Sequence, residues 1–175
     1  MKAPSLSPDH GIDSPAPIKS AIAICVVYDD DLARDRAQRV GPHLLRELGA
    51  LLEVSFSWWK SKFFYHPRIL QMASDAAARA DIILFSWHSG NHLPLVITDW
   101  LNTALARRDE SEVVLVSLLG TGVPASLQSS PAVACLSQIA RKASMDFLSY
   151  ADPVLAGWSD PDVPTTAGRA ILIEK

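Results

Sequence analysis

Cysteine is scarce in this chain: among 175 residues only Cys25 and Cys135 carry a thiol. Two thiols so far apart are too few for a disulfide framework or a cysteine-ligated zinc site. We therefore expect both to be free thiols, which is typical of proteins in the reducing cytoplasm. A cytoplasmic location is the expectation that follows.

Long apolar runs and an excess of positive charge are missing as well. The sequence has no stretch of about 18 uncharged apolar residues, which excludes an ordinary membrane span. Lys and Arg number 16 against 19 Asp and Glu, for a formal net charge of -3, so no basic surface for a phosphate backbone is predicted. General nucleic-acid binding and membrane insertion are not expected.

The remaining composition favours one globular domain with a tail at each end. Residues 1–20 contain four prolines and no apolar stretch long enough for a signal peptide, which predicts a disordered leader. Residues 21–150 are expected to form one α/β domain. Residues 151–175 are rich in Pro, Asp and Gly and are interpreted as a C-terminal extension.

Five apolar segments predict the strands of a sheet. The segment 21–28 is continuously apolar and β-branched, as in a central strand covered on both faces, and 54–58 alternates as a strand nearer the edge does. The other predicted strands are 81–86, 113–119 and 145–150. Helical periodicity separates them, and in the first helix, whose apolar stripe runs from Ala37 to Leu52, Pro42 predicts a kink or restart. This order predicts a three-layer α/β/α sandwich around a mostly parallel five-stranded sheet of flavodoxin-like type.

Parallel strands place their outgoing loops at one edge of the sheet, where three unusual segments should meet. The first strand is followed by Asp29, Asp30 and Asp31. The second leads into 58–65, which holds five of the 13 aromatic residues, and the third leads into the His-rich loop 86–92. Function, if it is local, is expected at this edge.

The segment 80–86, the loop with Gly90, Asn91 and Pro94, and the pair Trp100-Leu101 resemble the third strand, flavin-facing loop and next helix of NADPH-dependent FMN reductases. This resemblance implies FMN as a cofactor, with Trp87, His88 and Asn91 as flavin contacts and the ligand lying between the loops at Tyr28, Trp58 and Trp87. The family places a Gly-, Ser- or Thr-rich phosphate loop after the first strand. Here the three aspartates stand there and would repel a phosphate group.

The acid cluster is similar to that of two-component receiver domains. In that family adjacent carboxylates after the first strand hold Mg²⁺, so the resemblance implies Asp29, Asp30 and Asp31 as metal ligands. The phosphoacceptor aspartate is replaced by Ser86, and no lysine follows the fifth strand. The alternative for the three acids is capping of the helix that begins there.

Two functions from different classes remain open. The aromatic segment 58–65 is either a loop folded back over the core or a contact surface, because aromatic side chains supply much apolar area at a low entropic cost. The leading hypothesis is a non-catalytic or regulatory module that binds a protein partner or itself, as a homodimer, through this aromatic edge. The alternative is a flavin-dependent NAD(P)H oxidoreductase.

Overall fold

The computed structural model describes residues 21–48, 53–88, 92–108, 113–120 and 130–151. The predicted leader lies outside these residues, as does the predicted extension apart from Ala151, which is the last residue of a strand. The elements follow in the order β1 (Ala21–Tyr28), α1 (Asp31–Leu48), β2 (Glu53–Lys60), a 3-10 turn (Ser61–Phe63), α2 (Pro67–Arg79), β3 (Ile82–Trp87), α3 (Leu95–Leu105), β4 (Val114–Leu119), α4 (Pro131–Lys142) and β5 (Asp146–Ala151).

The five strands form one sheet in the order β2-β1-β3-β4-β5. Every neighbouring pair is parallel, so the expected α/β class and five-stranded sheet are confirmed, and the sheet is parallel throughout. The order is compatible with a flavodoxin-like fold. It places β1 and β3 in the interior, where their near-continuous apolar sequences are buried, and β2 at one edge, as predicted.

Helices cover both faces of the sheet, which makes three layers. Because side chains alternate along a strand, Cys25 and Val27 of β1 face one way while Ile24 and Val26 face the other. Helix α1 packs on the second face, with Ala37 and Val40 against β1, β3 and β4. The other three helices pack on the first face. The contacts are made by Ala73 and Ala77 of α2, by Ile97, Trp100, Leu101 and Ala104 of α3, and by Ala132, Val133 and Leu136 of α4.

Helix α1 begins where the capping alternative places it and shows no restart at Pro42. It begins at Asp31, six residues before the apolar stripe starts at Ala37, and its first turn is mostly exposed. It also continues through Gly41 and Pro42 to Leu48, so the predicted restart was wrong. A proline inside an otherwise helical pattern does not always end the helix. Among the described helices, none has the length and apolar character needed to cross a bilayer.

Candidate functional site

The carboxyl ends of β1 and β3 define the candidate site. The chain leaves β1 for β2 on one side and later returns to β3 on the other, so the strand order reverses between β1 and β3. In open α/β sheets, ligands bind in the crevice outside the strand ends at such a reversal. Asp29 follows β1 there and His88 follows β3.

Asp29 ties these two loops together. The backbone N–H of His88 donates to both carboxylate oxygens of Asp29, at 3.1 Å for Oδ1 and 3.0 Å for Oδ2. The N–H of Asp30 donates to the same Oδ1 at 2.9 Å. Burial raises the pKa of Asp29, and the hydrogen bond from His88 acts in the opposite direction. The crevice at the strand reversal is therefore bridged by the chain's own carboxylate.

Asp30 and Asp31 have separate tasks. Oδ1 of Asp30 accepts from the N–H of Ala33 at 2.8 Å, so Asp30 caps the start of α1, which was the alternative left open by the sequence. Oδ1 of Asp31 lies 2.7 Å from Nζ of Lys60, and this lysine lowers the pKa of the exposed Asp31 carboxyl. Asp30 thus caps α1, and Asp31 links α1 to the end of β2.

The three carboxylates do not converge on one point. Asp29 is bonded to the β3 loop, Asp30 caps its own helix and also lies 3.7 Å from Nδ1 of His88, and Asp31 is bonded to β2. In the described part of the chain, no group of three or more His, Cys, Asp and Glu side chains is placed to hold a metal ion. The magnesium hypothesis for these residues stays a prediction, without support from this arrangement.

A buried polar layer lies beneath the loops. Arg36 is only 3% exposed, and its Nη1 donates to the carbonyl of Trp87 at 3.1 Å and to Oγ of Ser86 at 3.4 Å. Ser86 in turn donates to the carbonyl of Ala33 at 2.6 Å. Gly120 closes this layer from the end of β4, because a Cβ on Gly120 would overlap both Nη2 of Arg36 and the carbonyl oxygen of His88. These contacts fix the ends of β3 and β4 against α1.

Sequence reasoning missed Arg36. It sits among charged residues in the first turns of α1, where a pattern of this kind is typical of a solvated helix face. Its burial depends on the carbonyl of Trp87, on the hydroxyl of Ser86 and on the absent side chain of Gly120. No local signal in the sequence could have identified it, because those partners are 50 residues or more away along the chain.

The predicted flavin contacts are divided between different places. Tyr28 and Trp58 meet edge to face with ring centroids 6.4 Å apart. The imidazole of His88 lies on the other side of β1, with Nδ1 3.7 Å from Oδ2 of Asp30. Trp87 is 6% exposed and its ring packs with the apolar cluster under α2, α3 and α4, so it does not face the crevice. Asn91 lies outside the described residues.

The aromatic segment is divided between the core and the surface. Phe64 folds back over the core, where it is 1% exposed and meets Trp100 in a T-shaped contact with centroids 4.9 Å apart. Its neighbours Phe63 and Tyr65 are 43% and 72% exposed. One ring therefore anchors the turn, while the two rings beside it remain at the surface.

Strand β2 continues this surface along the edge of the sheet. Phe56 and Trp58 lie on the α1 face with their rings stacked, centroids 5.7 Å apart, and the Arg34 guanidinium lies 5.9 Å from the Trp58 ring centroid. Trp59 points to the opposite face. We call β2 together with the exposed rings Phe63 and Tyr65 the aromatic edge.

The fold and the site define a class of protein: an open parallel α/β domain whose crevice is bridged from within and whose outer strand is aromatic. Comparisons with known protein families, with curated proteins and with solved structures found no match. Function is therefore inferred from the geometry of this chain.

Proposed function

We propose that this protein is a cytoplasmic, flavodoxin-like interaction module, non-catalytic or regulatory, that binds a protein partner or a second copy of itself through the aromatic edge. The observation that carries this proposal is the exposure of the aromatic strand β2. It is the outermost strand on its side of the sheet, and none of its eight residues is buried. Three of those eight residues are nevertheless aromatic, with Phe56 and Trp58 on one face and Trp59 on the other, and aromatic side chains are usually well buried in folded proteins.

An edge strand of this kind is suited to pairing with another chain. Its outer row of backbone N–H and C=O groups is a template for one more strand, and natural proteins usually block it with proline, charge or a bulge. β2 contains no proline, and its two charged residues, Glu53 and Lys60, stand at its ends. The six residues between them have none of these blocking features, which favours coverage of β2 by another chain.

The exposed rings beyond the strand extend the same surface. Tyr65 and Phe63 follow directly after β2, and the buried ring of Phe64 between them holds the turn in place. Rigidly placed aromatic side chains contribute strongly to protein interfaces because they bury large area at little entropic cost. The turn therefore supports recognition at one end of the strand.

The flavin-dependent oxidoreductase is the weaker alternative. The first amides of α1, which would bind a phosphate, are faced by the Asp30 cap and the exposed Asp31 carboxylate. Asp29 and His88 bridge the crevice, and Trp87 is buried beneath it. We expect no quenching of Trp fluorescence on titration with micromolar FMN, whereas saturable quenching with a bound yellow chromophore would favour the oxidoreductase.

The proposal is tested by shortening two side chains of the aromatic edge. We expect Trp58→Ala and Phe63→Ala each to weaken self-association or partner capture roughly fivefold or more, because truncation of interface aromatics typically costs over 1 kcal/mol. Sedimentation velocity measures self-association, and affinity capture with the tagged full chain measures partner binding. Far-UV circular dichroism verifies that both variants fold.

The matched control is Leu95→Ala. This side chain is 79% exposed at the start of α3 and belongs neither to β2 nor to the turn with Phe63 and Tyr65, so its loss removes exposed apolar surface outside the aromatic edge as defined. We expect wild-type association and capture from the control. Unchanged association and capture in both edge variants would contradict the proposed function.

A further inference from the structure

The proposed function leaves open what covers β2, and we infer that the occupant is a second copy of this chain. The two β2 strands would pair antiparallel around a two-fold axis at Ser57, joining five strands from each copy into one continuous sheet. This inference rests on the proposed function, because it concerns the same edge. It commits that edge to one partner and one register.

The alternation of side chains restricts which registers are possible. A two-fold axis perpendicular to the sheet leaves each face of the sheet on its own side, so side chains of the α1 face must meet side chains of the α1 face. Phe56 and Trp58 lie on that face, and Ser57 and Trp59 lie on the other. Only registers centred on a residue of β2 satisfy this condition.

Among these registers, we choose the one centred on Ser57 because of the side chains that it sets opposite one another. Ser57 would stand opposite Ser57 of the second copy, where two small hydroxyl side chains fit across the axis. On the α1 face, Phe56 of each copy would stand opposite Trp58 of the other, and aromatic pairs are among the stabilising cross-strand pairs. On the opposite face, the small Ser55 would stand opposite Trp59. This register thus pairs ring with ring on the α1 face and a large ring with a small serine on the opposite face.

Charge favours the antiparallel direction. Glu53 begins β2 and is exposed, whereas Lys60 ends it and Lys62 follows in the turn. Antiparallel pairing in this register sets Glu53 of one copy opposite Ser61 of the other, which lies between Lys60 and Lys62 in sequence, and Lys60 already pairs with Asp31 of its own copy. In-register parallel pairing would set each Lys60 beside its counterpart, which is unfavourable for like charges directly opposite.

A charge exchange at the axis tests the inference. Ser57→Lys and Ser57→Glu each place two like charges across the two-fold axis, and like charges juxtaposed at an interface are strongly unfavourable, so we expect the dissociation constant of the dimer to rise roughly tenfold or more in either variant alone. An equal mixture of the two places opposite charges there, and we expect a heterodimer to return. Sedimentation velocity and native mass spectrometry read out both results, and circular dichroism reports whether the variants fold.

Three further variants serve as controls and as an independent test. Gln138→Lys and Gln138→Glu introduce the same charges at an exposed position of α4, and we expect both to dimerise as the wild type does. Phe56→Ala removes an aromatic pair without adding charge, and it should weaken the dimer even if the variants at position 57 fail to fold. A wild-type chain that stays monomeric at about 100 μM would overturn the inference, as would charge variants that dimerise normally or a mixture that does not recover.

Failure of this inference is distinguishable from failure of the proposed function. If the wild type is monomeric but Trp58→Ala loses capture of a partner that Leu95→Ala retains, the homodimer is wrong and the interaction module stands. If the wild type is monomeric and the edge variants capture the same partners as the control, both are wrong.

Discussion

At the scale of single residues, three consecutive aspartates show how strongly environment decides the chemistry of one side-chain type. Asp29 is partly buried and bonded to backbone amides, and its pKa is raised, first by burial. Asp31, two residues later, is exposed beside Lys60, and its pKa is lowered, first by the hydrogen bond from that lysine. The two groups must therefore affect folding with opposite pH dependence.

We expect Asp29→Asn and Asp31→Asn to change stability in opposite directions as pH rises. An acid whose pKa is raised by folding contributes stability below its ordinary pKa of 3.8 that is lost as the pH rises through the raised value. Asp29→Asn removes this loss, so its free energy of unfolding should increase relative to wild type across that interval. The amide oxygen of the asparagine can still accept the hydrogen bond from His88.

For Asp31 the sign is reversed. A lowered pKa means that its contribution is present above 3.8 and lost as the pH falls through the lowered value, so Asp31→Asn should lose stability relative to wild type as the pH rises. Urea unfolding at several values between about pH 3 and pH 7 measures both variants under identical conditions. A common sign for the two pH dependences would refute the assigned environments.

The sequence predicted where these acids lie but not what each one does. Their position after a buried strand follows from local pattern, and that pattern placed them with the loop at His88. Their division among a loop tie, a helix cap and an ion pair depends on His88, Ala33 and Lys60. Two of those partners belong to other elements, so only the cap could be anticipated from neighbouring residues.

At the scale of elements, the ends of helices and strands show what a single sequence reveals. Predicted bounds for β1 agree with the structure, because a continuous apolar run marks a buried strand well. β2 is longer than predicted, since Trp59 and Lys60 continue the ladder by pairing with Val27 and Tyr28. Local alternation stops at Trp58, so the extension comes from the neighbouring strand and could not be predicted from the segment itself.

The end of α4 carries a strained residue that can be relieved. Ser144 has φ of 56°. Two hydrogen bonds end the helix here: the N–H of Met145 donates to the carbonyl of Ala140 at 2.9 Å, and the N–H of Ser144 donates to the carbonyl of Arg141 at 3.3 Å. This is a Schellman motif, in which glycine is the preferred residue at the left-handed position. The serine is exposed, so its side chain is free to be removed without creating a cavity.

We expect Ser144→Gly to raise the free energy of unfolding by about 0.5–1 kcal/mol, because glycine adopts positive φ without steric cost. Thermal and urea denaturation of the full chain measure the gain. The matched variant Ser144→Ala removes the same hydroxyl but keeps a Cβ in the left-handed region, so it should show no gain. Equal stabilisation by both variants would place the effect in the hydroxyl and not in the backbone.

At the scale of the whole molecule, one sheet separates two apolar clusters. Leu118 of β4 faces the cluster under α1, and Leu115 of the same strand faces the cluster under α2, α3 and α4. Both are fully buried. Neighbouring residues of β4 contribute to both clusters. Loss of packing in one cluster therefore displaces the strand on which the other cluster packs. The two should unfold together.

We therefore expect Leu118→Ala and Leu115→Ala to shift one cooperative transition each, by about 2–5 kcal/mol in the free energy of unfolding. Far-UV circular dichroism follows the helices and strands, while tryptophan fluorescence includes the Leu115 side, where Trp59, Trp87 and Trp100, three of the four tryptophans among the described residues, pack. Coincidence of the two signals in Leu118→Ala is the informative result, because that substitution lies on the opposite face.

The exposed-site variant Leu95→Ala should change stability by less than about 0.5 kcal/mol. Separate transitions by the two probes in Leu118→Ala would show that α1 and its cluster unfold independently of the rest of the sheet.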